Sequence, residues 1–400
     1  MSKLGVLIVG VGGAVASTVI AGVHLMRRGL APRIGMVTER GGALPPSPIS
    51  AALEFAALDD LVFAGWDIHP TNVYESALRH NVLPAAQLAQ VKDELSRITP
   101  WPAVFNKAYA QNLDGENVVK VSGHRAEIEA IGRNIEAFRA AYGIDRCVIV
   151  NLASTESWRE ANGVHTNLAK FEAALDADDP SISPSMRYFY AANKARVPFC
   201  NFTPTIASHA LEQHAMELGN PFCGCDGKTG QTLVKTALAS MFRARQLQIL
   251  GWYSVNFLGN NDGLVLNSPD SNKTKVMSKT SVLDSILGYE VPNHQVHIHY
   301  YKPRGDAKEA WDNIDIIGFG GVPMQMKVNF LCQDSILAAP LVIDLIRLLD
   351  VAKRSGERGI QRQLSLFFKS PYAAAGETPV HDLFEQERML LAWVAARKPA

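Results

Sequence analysis

A chain of 400 residues, 47% hydrophobic and 20% charged, holds enough apolar side chains for a packed core, and its composition excludes intrinsic disorder and fibrous repeats. Lys plus Arg and Asp plus Glu each number 39, so the formal charge is zero and no global field draws the chain to nucleic acid or anionic lipid. By length alone, about two or three domains are predicted.

The N-terminus supports two readings. Lys3 followed by the uncharged stretch Leu4 to Met26 resembles a signal peptide, and Ala14-Val15-Ala16 imitates a cleavage site. Against this, Gly5, Gly10, Gly12 and Gly13 interrupt the apolar run early, and Gly10-Val-Gly-Gly falls where a first strand would turn into a helix. A cytoplasmic protein is therefore expected. No later apolar segment reaches membrane-spanning length, so no membrane partner is predicted.

In chain order, Leu4 to Val9 reads as a buried strand, Gly10 to Gly13 as a turn, Ala14 to Arg28 as a helix ended at Gly29, and Arg33 to Thr38 as a second strand. Further strands are predicted at Leu61 to Ala64, Arg146 to Leu152 and Val197 to Phe202. Between them, Ile128, Ile131, Ile135 and Phe138 recur at helical spacing. Strands alternating with helices predict an α/β fold with a doubly wound parallel sheet.

The character changes after a helix predicted at Thr229 to Gln248. Ile249 to Leu258, His294 to Tyr301 and Val322 to Leu331 read as strands of a second, mainly antiparallel sheet. A long helix, Ser335 to Ala352, follows, then a short tail containing Leu364-Ser-Leu-Phe-Phe-Lys369.

The five cysteines, Cys147, Cys200, Cys223, Cys225 and Cys332, are odd in number and thinly spread, which favours free thiols in a reducing compartment. Cys223 and Cys225 have the look of a metal half-site, but no second pair completes it. His297 and His299 share a strand face and pose the same choice between a metal site and a structural role.

Three segments carry chemistry. Gly10-x-Gly12 lets the backbone approach a pyrophosphate at a helix N-terminus, although Val15 stands where the third glycine of the dinucleotide fingerprint belongs and Glu39 follows the predicted second strand. A tight structural turn satisfies the same residues. Asp226-Gly-Lys-Thr-Gly-Gln-Thr232 opens a helix with two glycines and two hydroxyls, suited either to a phosphate or to plain capping, and lacks the spacing of a Walker loop. Asn256-Phe-Leu-Gly-Asn-Asn-Asp-Gly263 concentrates donors and acceptors at a strand end, fit for a polyhydroxylated ligand or for a turn.

In order, these segments resemble the inositol-phosphate synthases, NAD-dependent enzymes that make myo-inositol phosphate from glucose 6-phosphate. Gly10-Val-Gly-Gly matches the family's NAD loop, and Gly65-Trp-Asp-Ile68 and Leu152-Ala-Ser-Thr-Glu156 match its next two motifs. Downstream come Lys228-Thr-Gly-Gln-Thr232, Leu258-Gly-Asn-Asn-Asp-Gly263, Ser278-Lys279 with Val282, Lys302-Pro with Gly305-Asp306 and Lys308, and Asp334-Ser335 with Pro340-Leu341. The likeness spans nearly the whole chain.

The resemblance implies a Rossmann domain over 1–243, a catalytic and tetramer-forming α+β domain over 244–344, and a segment 345–400 that returns to the first domain. It also implies a homotetramer. Gly10, Gly12, Gly13, Ala14, Val15, Asp67, Ala153, Ser154, Thr155 and Asp306 would contact a tightly bound, recycled NAD. Thr229, Gly230, Gln231, Thr232, Asn256, Leu258, Asn260 and Asp262 would hold a hexose phosphate. Lys275, Lys279, Lys308, Lys369, Asp306 and Asp334 would surround the reacting carbons, and the family admits a monovalent or a divalent cation.

The implied reaction oxidises the C5 hydroxyl, enolises C6, closes the ring by an intramolecular aldol step and reduces C5 again. Ammonium groups suit it because they stabilise negative charge developing on enolate and alkoxide oxygens. Two departures, Cys200-Asn-Phe-Thr-Pro204 and Val255-Asn256-Phe257, leave glucose 6-phosphate and fructose 6-phosphate both open, the latter giving a five-membered ring. An ordinary NAD-dependent dehydrogenase, which would accumulate NADH, stays the competing class.

Overall fold

The computed structural model describes residues 3–40, 45–157, 159–205, 208–260, 263, 282–374 and 376–397. Six strands in chain order, β1 (Leu4–Val9), β2 (Leu61–Asp67), β3 (Trp101–Pro102), β4 (Cys147–Asn151), β5 (Phe199–Asn201) and β6 (Pro221–Gly224), lie in one sheet. A seventh, Gly359–Ile360, joins it from far along the chain, and the order across the sheet is β3-β2-β1-β4-β5-β6 and then Gly359–Ile360, every pairing parallel. That order reverses direction between β1 and β4, which opens a crevice at the carboxyl ends of those strands.

Alternation along the strands builds a core on each face. Leu4, Val6 and Ile8 of β1 point to helix α1 (Ala14–Arg27), while Leu7 and Val9 point to helices α2 (His124–Tyr142) and α3 (Pro184–Lys194). The predicted helical stripe Ile128, Ile131, Ile135 and Phe138 is buried on α2, each residue contributing about 1.5–3 kcal/mol of transfer free energy.

Helix α4 (Gly230–Ala244) follows, then β7 (Gln248–Leu258), β8 (His294–Tyr300), β9 (Ala307–Ile317) and β10 (Pro323–Gln333), which form a second sheet in the order β10-β9-β7-β8. Two of its pairings are antiparallel and β7 with β8 is parallel. The inner face, with Trp252, Ile314 and Ile316, packs on Ala239 and Phe242 of α4. Helix α5 (Asp334–Arg354) leaves β10 directly and lays Val342, Ile346 and Leu349 into the core beside α1; helix α6 (Leu383–Ala395) comes last.

Two differences from the sequence reading bear on the site. No strand forms at 33–38: the N–H groups of Val37 and Thr38 donate to the Asp344 carboxylate on α5 at 2.9 and 3.0 Å, so they are spent outside any ladder. Conversely, β9 is the second sheet's longest-paired strand and was not predicted. Its inner face carries Lys308 and Asp312 while Trp311 stands on the outside, so its polarity runs against the alternation that marks a half-buried strand.

Candidate active site

The turn after β1 is shaped by its neighbours. Gly10 has φ +82°, and a side chain there would meet the Leu152 carbonyl oxygen at 3.1 Å and Ala153 N at 3.2 Å, so the turn after β4 packs directly on it. Gly13 is the N-cap of α1 and brings no side chain, which leaves first-turn N–H groups for a ligand.

Asp67, at the end of β2, accepts from Gly12 N at 2.9 Å and from His69 N at 3.0 Å. The acidic residue ending the second strand is therefore Asp67, and the earlier placing of Glu39 there is corrected. Glu39 accepts instead from Arg347 on α5 at 3.1 Å. The His80 Nε2–H donates to the Gly12 carbonyl oxygen at 2.9 Å, and burial lowers the pKa of this imidazole.

These groups border a cavity of about 250 Å³ at the switch point. Its far wall comes from the second half of the chain: Asp226, Gly227, Thr229, Asn260, Asp334, Ser335 and Lys369. Thr229 is the N-cap of α4 and Asp334 the first residue of α5, so two helix N-termini converge there.

Thr229 Oγ1 donates to Asp334 Oδ1 at 2.9 Å and Lys308 Nζ to Asp334 Oδ2 at 3.0 Å. Burial pushes the Asp334 carboxyl pKa up, but the positive charges of Lys308 and then Lys369 outweigh it and hold the group well below the usual carboxylate range. Lys369 Nζ donates to Asp226 Oδ1 at 3.0 Å, with both side chains almost wholly buried.

Asp306 holds the start of α5 in place. It accepts from Ser335 Oγ at 2.7 Å, Ser335 N at 3.1 Å and Asn260 Nδ2 at 3.3 Å. Burial raises its pKa, and the Ser335 hydrogen bonds work against that rise.

A family model described as myo-inositol-1-phosphate synthase, of NAD-binding type, matches residues 4–395. The chain belongs to the myo-inositol-1-phosphate synthase family. It is 45% identical to inositol-3-phosphate synthase 1 of Bacteroides thetaiotaomicron over 97% of this chain and 94% of that protein. Inositol-3-phosphate synthase 1 of Oryza sativa subsp. japonica is 28% identical over 97% of this chain and 84% of its own length. The fold matches the crystal structure of inositol-3-phosphate synthase from Caenorhabditis elegans with a TM-score of 0.92 at 24% identity, covering 100% of this chain and 87% of that one.

As a member of this family the chain is an NAD-binding enzyme of the inositol-3-phosphate synthase type. The glycine turn fits such a group: Gly10, Gly12, Gly13, Ala14, Val15, Asp67, Ala153, Ser154 and Thr155 all border the cavity. Of the other residues singled out in the sequence, Thr229, Asn260, Asp334 and Lys369 line it too. Asp306 and Lys308 join it one contact back, through Asn260 and Asp334.

Others do not border the cavity. Gly230 and Thr232 lie in the buried first turn of α4, while Gln231 and Asn256 bond each other in a buried network. The Leu258 side chain packs on Ile298, and its carbonyl oxygen accepts from Tyr301 N at 2.8 Å. Lys275, Lys279 and Asp262 lie outside the described residues.

In the sequence Asp226 stands only at the opening of a segment suited to a phosphate or to capping, with no role of its own. Its one local signal is position before the Gly-Lys-Thr-Gly run; its partner Lys369 is 143 residues away. Ser335 is named in the sequence only within the Asp334-Ser335 motif and as a helix start, yet it lines the cavity. Among the described residues, no group of three or more His, Cys, Asp or Glu side chains could hold a metal ion, and no helix is long and apolar enough to cross a membrane. Cys147, Cys200, Cys223, Cys225 and Cys332 are buried and none forms a disulfide, and the His297 and His299 rings lie parallel, 6.3 Å apart, on the outer face of the second sheet.

Proposed function

We propose that this chain converts glucose 6-phosphate to an inositol phosphate by oxidation, enolisation, intramolecular aldol closure and re-reduction, with NAD kept bound and recycled. The observation that carries the reading is the meeting, on one cavity, of a nucleotide-binding glycine turn with the Lys308–Asp334–Thr229 and Lys369–Asp226 groups. When bound, NAD supplies a hydride acceptor at C5 and returns the same hydride, so no net redox change results.

The chain's own groups supply the rest. Lys369 Nζ, oriented by Asp226, is assigned the proton of the C5 hydroxyl. Lys308 is assigned the ring-closing alkoxide; Asp334, kept anionic, holds its ammonium in place. Lys275 and Lys279 are assigned to charge near the enolate and phosphate, and Thr229 to the phosphate at the start of α4.

With this goes a division into a nucleotide-binding part over 1–243, a catalytic and assembly part over 244–344 and a returning segment over 345–400. Its support is that β7 to β10 fall between 248 and 333, while Gly359–Ile360 pairs with β6. A homotetramer is part of the reading. The outer face of the second sheet leaves Tyr253 and Trp311 each 46% exposed and Leu331 60% exposed, an apolar surface suited to a second copy. Five cysteines without a disulfide among them support a reducing, cytoplasmic setting.

The deciding experiment gives purified protein a catalytic amount of NAD with glucose 6-phosphate or fructose 6-phosphate, follows NADH absorbance and resolves products by NMR. A six-membered cyclitol phosphate from glucose 6-phosphate without net NADH is expected. A five-membered product from the ketose moves the substrate assignment, and stoichiometric NADH turns the reading into an ordinary dehydrogenase.

A further inference from the structure

The turn after β1 is met from one side by a helix that ends against it. Helix Val73–His80 starts at the Asn72 N-cap and stops at Asn81, which has φ 51° and donates its N–H to the Ala77 carbonyl oxygen at 3.0 Å. Ser76 and His80, four residues apart, share the face turned to Gly12. A β-carbon at Gly12 would stand 3.2 Å from Ser76 Oγ, and His80 Nε2 lies 2.9 Å from the Gly12 oxygen. The last carbonyl groups of a helix and the Gly12 carbonyl are all acceptors, so only a donor can bring them together. His80 is that donor, and because a carbonyl oxygen only accepts, Nε2 carries the hydrogen.

This bond completes a frame. The Gly12–Gly13 peptide lies between two glycines, so no side chain restricts the backbone on either side of it and it is confined from outside. Gly12 N donates to Asp67 Oδ2 at 2.9 Å, and Gly13 N to the Gly10 carbonyl oxygen at 2.9 Å. In a planar trans peptide the C=O and N–H point opposite ways, so His80 on the Gly12 oxygen and Gly10 on the Gly13 N–H hold the plane from both ends. Gly13 is the N-cap of α1, with φ −72° and ψ 165°, and its orientation sets where the first-turn N–H groups of Ala14 and Val15 point. His80, Gly12, Gly13, Ala14 and Val15 all border the cavity, so a ligand within it reaches the framed turn directly.

Resting on the NAD binding of this family and on the glycine turn as its place, we infer that His80 is a coenzyme-positioning residue: by holding the Gly12 carbonyl oxygen it fixes the Gly12–Gly13 peptide and keeps the α1 N-terminus set for the diphosphate of NAD. A turn fixed beforehand loses less freedom when the coenzyme arrives. Without the donor, the Gly12 oxygen faces the acceptors of the helix end. The two-glycine peptide then turns away from them and disturbs the N–H array that the diphosphate needs. His80 acts through Gly12 and takes no part in the chemistry.

The test separates the hydrogen bond from the bulk of the side chain. His80→Gln sets an amide NH₂ close to the place of Nε2 and keeps the donor. His80→Leu keeps most of the apolar contact and removes the donor, and His80→Asn carries a donor that stops short of Gly12. With NAD titrated into purified protein by calorimetry, H80L and H80N are expected to bind about five- to twentyfold more weakly than wild type, and H80Q to regain most of that loss. All three should melt within a few degrees of wild type.

An H80L protein that binds NAD as wild type does overturns the inference, and so does an H80Q protein as weak as H80L. Affinity that falls in step with Tm across the variants overturns it too, since His80 then only braces the helix. Should H80L fail to fold, H80Q against H80N decides: a gap of about threefold or more supports the hydrogen bond, and a smaller one overturns it. Wild-type protein that binds no NAD removes the inference together with the reading of the glycine turn beneath it.

Discussion

Lys369 and Asp226 stand 143 positions apart and are joined twice: Lys369 Nζ donates to Asp226 Oδ1 at 3.0 Å and Lys369 N donates to the Asp226 carbonyl oxygen at 2.7 Å. The backbone bond belongs to a short antiparallel contact in which Phe368 faces Gly227, so the ammonium is aimed by main chain as well as by charge. Two side chains about 96% buried or more, locked in this way, have little freedom to be anywhere but at the cavity wall.

Replacing Lys369 by Ala is expected to abolish turnover, by at least about 100-fold, the usual scale for a lost acid–base group, while NAD affinity in calorimetry stays within a few-fold. Turnover at the wild-type rate would end its assignment to the C5 proton.

Asp334 joins Lys308 and Thr229, so Asp334→Asn loosens both. A fall in kcat/KM of about 100 to 1000 fold is expected, with Lys308 no longer held at its station. The carboxyl pKa is depressed in the fold, so the stability it contributes is present above the unfolded value near 4 and is lost as pH falls below it. Urea midpoints from pH 6 down to pH 3 should therefore drop more steeply in the wild type than in the variant; equal slopes count against the Lys308 pairing.

Gly12→Ala would place a methyl 3.1 Å from Asp67 Oδ2 and 3.2 Å from Ser76 Oγ. Asp67 must give way, and its bond to Gly12 N goes with it. NAD affinity is expected to fall by roughly tenfold, about 1.4 kcal/mol, with a folded protein by circular dichroism. Unaltered affinity would mean that the turn does not approach the cofactor.

Two buried lysines outside the proposed chemistry report on pH. Burial lowers Lys228 to about 7, partly offset by Asp382, and lowers Lys235 to about 8, partly offset by Asp312. From pH 7 toward 10 the unfolded chain still binds protons that the fold has released, so stability rises with pH across that window. Lys228→Met should flatten the rise measured by urea denaturation at pH 7, 8.5 and 10. A slope identical to wild type would show Lys228 to be charged in the fold.

On the outer face of the second sheet, Trp311 packs edge-on against Phe257 at 5.0 Å and is nearly half exposed. Trp311→Glu is expected to shift the mass measured by light scattering from a tetramer toward smaller species. A tetramer that persists at low micromolar protein would place the assembly surface elsewhere.

Local pattern was enough for β1, its glycine turn and α1, because a continuous apolar run, four glycines in nine positions and a 3.6-residue stripe are all short-range properties. It misplaced the second strand, because Val37 and Thr38 have strand-like side chains and their N–H groups are claimed by Asp344, some 300 residues on. For the same reason Glu39 was set where Asp67 stands. β9 escaped notice because a site had overwritten its pattern: Lys308 and Asp312 occupy core-facing positions that a strand ordinarily gives to apolar residues.

What the amino-acid order determined on its own is the inventory: a parallel α/β architecture, a nucleotide turn, and a set of lysines, aspartates and amides in the order of one family. Which of these meet was decided by the tertiary structure. Hydrogen bonds and ion pairs are short-range forces, effective over about 3 Å, and only the return of the chain through α5 and the Gly359–Ile360 strand brings Lys369, Asp334 and Thr229 onto the same cavity as the turn after β1.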